Sequence, residues 1–164
     1  MKWEYTILYG VWVISVLMLI FVPRDKRCVS QIVFFFKQMV TWVVGLIVVE
    51  RGWIEYPVRF FSDVNRSSFT FEFMAYPAVC GMFNAYYPAK RSLLFRGGYY
   101  ILYCTVMTVM EVVIEKYTEL IRYVHWNWYW TWITLMVTFM MSRRFCVWYF
   151  SVRPSSLSSA RKGH

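Results

Sequence analysis

Three charged side chains interrupt stretches of the chain that are otherwise apolar. Lys37, Glu72 and Glu111 each lie inside an apolar run, not in the polar connections between runs. A charge at the centre of a bilayer is expensive, about 2.5–3.5 kcal/mol on the insertion scale. Buried charges usually pair with one another, and intramembrane carboxylates often mark a path for ions or protons. The sequence therefore points to a buried ion pair or to an ion path.

The rise of a helix places these charges at different depths. With the topology given below, Glu72 lies about 6 Å and Glu111 about 9 Å below the outer edge of the hydrocarbon, and Lys37 lies about 18 Å below it. Long side chains can close most of that gap. We therefore expect Lys37 to pair with Glu111, with Glu72 as the competing partner. The alternatives are an ion or proton path along the carboxylates, or a Glu72 that simply lies at the interface.

Polar and small residues recur at helical spacing in four of the apolar runs, so each run has one polar face. A helix surrounded by lipid has no use for such a face, whereas hydroxyls and small residues allow close contact between helices. The four faces are Ser30, Lys37, Thr41 and Gly45; Glu72, Tyr76, Cys80 and Asn84; Cys104, Thr108, Glu111, Glu115 and Arg122; and Thr131, Thr134, Thr138 and Ser142.

No set of residues in the chain matches a catalytic or metal-binding motif. The cysteines, Cys28, Cys80, Cys104 and Cys146, form no CxxC pair, and small apolar packing residues are the simpler interpretation. His125 has no companion ligands, so an ordinary interfacial histidine is expected. HExxH, GxSxG, P-loop and dinucleotide fingerprints are absent from the sequence. We expect no enzyme activity, no metal and no cofactor.

A block of aromatic residues precedes the last apolar run. Trp126, Trp128, Trp130 and Trp132 combine an apolar body with a polar tip, which favours the boundary between lipid and water. An aromatic belt at the interface is the default expectation. An aromatic cage for a cationic head group is the alternative.

The composition indicates a membrane protein. Hydrophobic residues make up 59% of the 164 residues and charged residues only 16%, far from the average of soluble domains. The net charge is +9, but the basic residues lie in short blocks between apolar runs. That arrangement indicates contact with anionic lipid head groups and argues against nucleic acid as a partner.

The apolar runs predict an all-α bundle with about five transmembrane helices, in a single domain over residues 1–150. An interfacial segment, with Arg51, Arg59 and Arg66 toward head groups, is expected between the second and third spans. A kink is expected at Pro77, and the fourth helix is expected to continue to Arg122. The predicted spans are 5–22, 29–49, 69–87, 98–117 and 126–141, followed by a disordered basic tail over 151–164.

The distribution of Lys and Arg predicts the orientation. Connections after the first, third and fifth spans carry eleven of these residues, and the other side carries six. Since positive residues favour the cytoplasmic side, we expect the N-terminus outside and the C-terminus in the cytoplasm. The predicted location is the cytoplasmic membrane, as a multi-pass protein.

Two stretches resemble a known family. They are RGWIEYPVRFF with NRSSFTFEFMAYPAVCGMFNAYYP, residues 51–61 and 65–88, and EVVIEKYTELIRYVHWNWYWTWITLMVTFMMSRR, residues 111–144. They resemble an uncharacterised family of small multi-spanning membrane proteins of spore-forming Firmicutes such as Bacillus and Clostridium. The resemblance implies a polytopic membrane protein, and it assigns no activity and no residue roles.

Two classes of function are compatible with these patterns. Polar faces on four spans without a catalytic set favour a non-enzymatic structural or assembly subunit of a membrane complex, with the envelope of a spore former as its expected place. Its partners would be the lipid bilayer and either further copies of the chain or a larger membrane protein. The alternative is a small transporter or channel for ions, protons or solutes that uses the intramembrane carboxylates.

Overall fold

The computed structural model describes residues 2–152 and confirms an all-α architecture. Five helices account for nearly all of the regular structure, and the strands are a single pairing of two residues each. The elements in chain order are α1 (Lys2–Ile20), α2 (Arg27–Glu50), β1 (Ile54–Glu55), a π turn (Phe71–Ala75), α3 (Tyr76–Ala85), α4 (Leu93–Tyr117), β2 (Arg122–Tyr123) and α5 (Trp128–Val152).

Three of these helices are long and apolar enough to cross a membrane. They are α1 over Trp3–Ile20, α2 over Arg27–Glu50 and α4 over Leu93–Tyr117. These three candidate spans support the membrane protein that the composition predicts.

The third apolar run contains an irregular helical turn just before Pro77. Residues 69–85 are helical throughout, but Phe71–Ala75 form a π turn that ends two residues before Pro77. Proline cannot donate a backbone hydrogen bond and its ring crowds the preceding turn. Local widening into a π turn is one way in which a helix accommodates this, and such turns are frequent at functional sites.

Two helix ends differ from the sequence prediction. α5 was expected to end at Met141 but continues to Val152. Basic residues orient a span but do not terminate a helix, and the Ser142 hydroxyl bonds back to the Thr138 carbonyl at 2.7 Å. α4 was expected to continue to Arg122 but ends at Tyr117, because Thr118 takes an extended backbone conformation.

The segment expected to lie flat between the second and third spans is instead folded onto one end of the bundle. Together with residues 118–127, residues 51–68 form a unit that we call the cap. Ile54 pairs with Tyr123, and the Trp53 carbonyl accepts hydrogen bonds from the backbone amides of Val124 and His125 at 3.0 and 3.1 Å. The guanidinium of Arg59 donates to three carbonyls of this loop, so it holds the loop together rather than only facing head groups.

Two apolar clusters form the interior. One lies under the cap and includes Leu8, Phe71, Leu120 and Ile121. The other, at the opposite end, contains Cys80, Cys104 and Cys146, which confirms the interpretation of these three cysteines as packing residues, whereas Cys28 is exposed and the interpretation is wrong for it. The predicted disordered tail lies mostly outside the described residues; Ser151 and Val152 still belong to α5.

The packing of the cap on the bundle predicts that Leu120 contributes to the stability of the fold. Its side chain is 0% exposed under the cap, whereas Leu94, at the start of α4, is 90% exposed. We expect Leu120→Ala to destabilise the protein by about 2–5 kcal/mol, because it removes buried methyl groups and leaves a cavity. Thermal unfolding in mild detergent measures this, with Leu94→Ala as the control. Equal midpoints for the two variants would show that the cap is not packed on the bundle.

Candidate functional site

A small cavity lies where α2, the π turn, α3, α4, α5 and the cap meet. Its volume is about 70 Å³, enough for a few water molecules or a small ion. Both predicted intramembrane carboxylates, Glu72 and Glu111, line it. The hydroxyl-bearing residues of its wall are Thr41, Tyr56, Tyr76, Thr131, Thr134 and Thr138.

Glu111 is the better satisfied of the two carboxylates. Its oxygens accept hydrogen bonds from the hydroxyls of Tyr76 at 2.5 Å, Tyr123 at 2.7 Å and Thr131 at 2.7 Å. The donors come from α3, β2 and α5, so one side chain of α4 joins three other elements. The indole of Trp126 donates in turn to Thr131 at 2.8 Å. Charge-assisted bonds of this kind are among the stronger hydrogen bonds in proteins.

Glu72 has a different environment. Its side chain is only 3% exposed, so it is buried inside the protein, and its depth in the bilayer stays a prediction. Within the described part of the chain, neither carboxylate oxygen has a hydrogen-bond partner, although the hydroxyls of Tyr56 and Ser67 lie nearby. The backbone carbonyl of Glu72 is fixed by the Thr41 hydroxyl at 2.7 Å. A buried carboxylate without donors requires either a proton or a cation to offset its charge.

Gly45 of α2 provides the space that Glu72 occupies. A Cβ atom at position 45 would overlap the Glu72 carboxyl group. The sequence predicts Gly45 on the polar face of α2, and the structure confirms that Ser30, Lys37 and Thr41 of that face are buried. The glycine therefore allows the carboxylate of the π turn to approach the α2 backbone directly.

The predicted ion pair of Lys37 is not formed. Lys37 is fully buried, but its ammonium donates to the Thr138 hydroxyl and lies 4.7 Å from the centre of the Phe139 ring. Among the described residues, the ion pairs are those of Arg122 with Glu55 and Glu119, and Lys37 makes none with Glu72 or Glu111.

The spacing along α5 explains why the pair fails. Thr138 holds Lys37 and Thr131 holds Glu111, and seven residues of helix separate the two contacts by about 10 Å. The prediction allowed the side chains to stretch toward each other. Instead, each charge is satisfied locally by a hydroxyl, with Thr134 between them on the same wall of the cavity.

Two tyrosines of the cap lie beside the carboxylates: Tyr56 lines the cavity, and Tyr123 donates to Glu111. Burial, together with the nearby Glu72 and Glu111, raises the pKa of Tyr56 well above its ordinary range. Burial and Glu111 also raise the pKa of Tyr123. Both phenols therefore remain protonated across the physiological pH range and can act as hydrogen-bond donors.

The aromatic block divides into two parts. Trp126 is half-buried and donates into the site through Thr131, whereas Trp128 and Trp130 are exposed. The Trp132 indole reaches Thr105 on α4 at 3.2 Å. The aromatic belt at the interface therefore stays a prediction. Trp126 has a separate structural role, because it supports the site through Thr131.

Sequence reasoning missed several contributors to the cavity. Tyr56 and Tyr123 stood out neither by motif nor by helical spacing, because both lie in the cap. Their local signal was weak: each sits beside a two-residue strand or within it, flanked by charges. The carboxylates, Thr41 and Thr131 were all placed correctly on inward faces.

No group of three or more His, Cys, Asp or Glu side chains that could hold a metal ion is found in residues 2–152. Comparison of the chain with family models, with curated proteins and with solved structures found no match. Function must therefore be argued from the geometry of the cavity.

Because Lys37 and Glu111 are about 10 Å apart along α5, their substitutions should act independently. We expect Lys37→Met and Glu111→Gln each to lower the midpoint of thermal unfolding in detergent. The losses in the double variant should add to within about 0.5 kcal/mol. Urea or thermal unfolding of the four proteins gives the cycle. A recovery of stability in the double variant would instead demonstrate a direct pair.

Proposed function

We propose that this protein binds a proton or a small monovalent cation at Glu72 and passes it through the cavity, as a small membrane transporter or channel. The observation that carries the proposal is the buried Glu72 carboxylate, which has no ion pair among the described residues and no hydrogen bond of regular geometry, although the hydroxyls of Tyr56 and Ser67 lie nearby. An ionised group so placed is unstable unless a positive charge joins it. Exchange of that positive charge is the simplest chemistry that such a site supports.

The charges around the cavity favour one bound positive charge. Glu72 and Glu111 line the cavity, and Lys37 lies next to its Thr138 wall. If all three are ionised, they leave one negative charge in excess. One proton or one monovalent cation makes this group neutral, and a low-dielectric interior strongly prefers neutrality.

The two carboxylates then have different tasks. Glu111 is held by three hydroxyl donors and serves to join helices and cap. Glu72 has none and is the exchanging group. Thr41 and Tyr56 line the same cavity as Glu72, and their hydroxyl oxygens can take part in such an exchange.

A groove beside the cavity supports access from the side. It has a volume of about 480 Å³ and lies between α2, the cap and the start of α5. Val44, Val48, Trp126 and Thr134 belong both to its wall and to that of the cavity. Trp126 therefore lies in the wall between the two spaces, where its indole donates to Thr131.

The second candidate is a non-enzymatic assembly subunit. An apolar groove of about 480 Å³ separates α1 from α4, with Ser15, Tyr76, Tyr103 and Glu111 as its members that carry polar atoms. A helix from a further copy or from a larger membrane protein would fill such a space. In that case the charges act only to hold the bundle in a shape that its partner recognises.

We further propose that all five helices cross the cytoplasmic membrane, with the N-terminus outside and the C-terminus inside. α3 with its π turn and α5 would be the two spans beyond the three that stand out by hydropathy. We also propose that the chain belongs to the family of spore-forming Firmicutes that it resembles, and that the spore membrane is a further location of the protein.

The transport proposal predicts a loss of flux in Glu72→Gln. Wild-type protein in vesicles that contain a pH-sensitive dye should conduct protons, sodium or potassium above the rate of empty vesicles. A glutamine at position 72 cannot exchange a charge, so flux should fall to the background while thermal stability is retained. Glu115→Gln is the matched control. Glu115 lies near the end of α4 but outside the cavity wall, so this variant should conduct normally.

Two results would contradict the transport proposal. One is wild-type flux no higher than that of empty vesicles for all three cations. The other is full flux in Glu72→Gln. A stoichiometric protein partner recovered from mild detergent, together with absent flux, would favour the assembly subunit.

The topology proposal is tested with single cysteines in the Cys28→Ser background. Val64→Cys in the cap and Lys90→Cys between α3 and α4 both replace exposed side chains. In intact cells a membrane-impermeant thiol reagent should label position 64 and not position 90, since the excess of basic residues marks the inner side. The reverse labelling would invert the orientation.

A further inference from the structure

A basic groove lies at the end of the bundle where α4 begins and α5 ends, far from the carboxylate cavity. It has a volume of about 660 Å³, within the range of ligand-binding pockets. Arg96, Arg143 and Arg144 line it, and no carboxylate does. We call it the basic groove.

Tyr87 holds two of these arginines in place. The Arg96 Nε donates to the Tyr87 hydroxyl at 2.9 Å, and the Arg143 guanidinium lies 4.1 Å from the centre of the same ring. A guanidinium presents several donors in a rigid fork that matches the oxygens of a phosphate. Fixing the two guanidiniums beforehand lowers the entropy cost of binding such a group.

The positive charges of the basic groove are not offset by the protein. Within residues 2–152, none of the three arginines forms an ion pair with a carboxylate, since the ion pairs there involve Arg122. The groove therefore presents up to three positive charges at the boundary of the bundle. An anionic occupant would complement them.

The remaining wall of the groove is apolar and runs away from the arginines along the helices. Ile101 of α4 and Met136 and Met140 of α5 lie on the side toward the bundle centre. Charge at one end and an apolar wall at the other match an amphipathic ligand whose polar end is anionic. Basic pockets between transmembrane helices bind anionic lipid head groups by this arrangement.

We propose that the basic groove is a binding site for one anionic phospholipid. The phosphate diester lies among Arg96, Arg143 and Arg144, and one acyl chain follows the wall formed by Ile101 and Met140. The site depends on α4 and α5 both crossing the bilayer, but not on ion exchange at Glu72. The bound lipid would clamp the start of α4 to the second half of α5.

The test compares lipids on the purified full-length protein. Native mass spectrometry and thermal unfolding in detergent are measured with added phosphatidylglycerol, phosphatidylcholine or inorganic phosphate. We expect retention of phosphatidylglycerol and a rise in the unfolding midpoint with it alone. Equal effects of the two lipids, or full stabilisation by inorganic phosphate, would overturn the proposal.

Substitutions at the arginines test the head-group contacts. The double variant Arg96→Gln/Arg143→Gln should lower the apparent affinity for phosphatidylglycerol by about tenfold or more, since charge-assisted bonds are lost. Arg24→Gln/Arg91→Gln removes the same charge from exposed positions outside the groove and is the matched control. Equal affinities of the two double variants would show that binding is only non-specific attraction.

Substitutions at two adjacent glycines test the acyl-chain contact without any change of charge. Gly97 lines the groove and Gly98 does not, and a Cβ at either position meets open space. Residues one step apart on a helix point about 100° apart. Gly97→Leu should therefore block the groove and weaken retention, whereas Gly98→Leu should not. Unchanged retention in Gly97→Leu would place the lipid elsewhere.

Discussion

The Glu111 carboxylate is the contact on which the arrangement of the bundle depends. It lies on α4 and accepts hydroxyl bonds from α3, from β2 and from α5. In a bilayer there is little hydrophobic force between helices, because lipid is as apolar as the helix surfaces. Polar contacts and close packing must therefore set the order of the helices. One carboxylate with donors from three elements fixes both the helices and the cap.

Glu111 is satisfied by these hydroxyls, and the other buried charges do not contact it. Lys37 lies two turns away along α5 and is held by Thr138. Glu72 makes no ion pair and has only the hydroxyls of Tyr56 and Ser67 nearby. In the resulting bundle, threonine side chains lie between the buried charges. That separation distinguishes this interior from one held together by an ion pair, where the charges would cancel.

The sequence predicted the helices and their inward faces well, because polar residues at helical spacing in an apolar run leave few alternatives. Ser30, Lys37, Thr41 and Gly45 were placed together, and all belong to the interior. The sequence could not predict contacts between helices. Whether Lys37 meets Glu111 depends on the relative height of α2 and α4, and helical periodicity carries no information on height. The sequence did not predict the cap because a strand pairing of two residues leaves too short a pattern; Tyr56 and Leu120, which are both buried, lie just outside that pairing.

Because Glu72 lies directly against Gly45, any side chain at position 45 would compete with the side chain at position 72 for the same space. A methyl group at position 45 and a full-length glutamate at position 72 cannot occupy the same space. A larger residue at position 45 is therefore compatible with this fold only if the side chain at position 72 becomes shorter or turns away. The effects of substitutions at these two positions should therefore be coupled: a side chain at position 45 costs little where the carboxyl group of residue 72 is absent or turned away, and more where it is held in place. A protein that has exchanged Gly45 for alanine and kept its fold should also have lost the carboxylate from this side of the cavity.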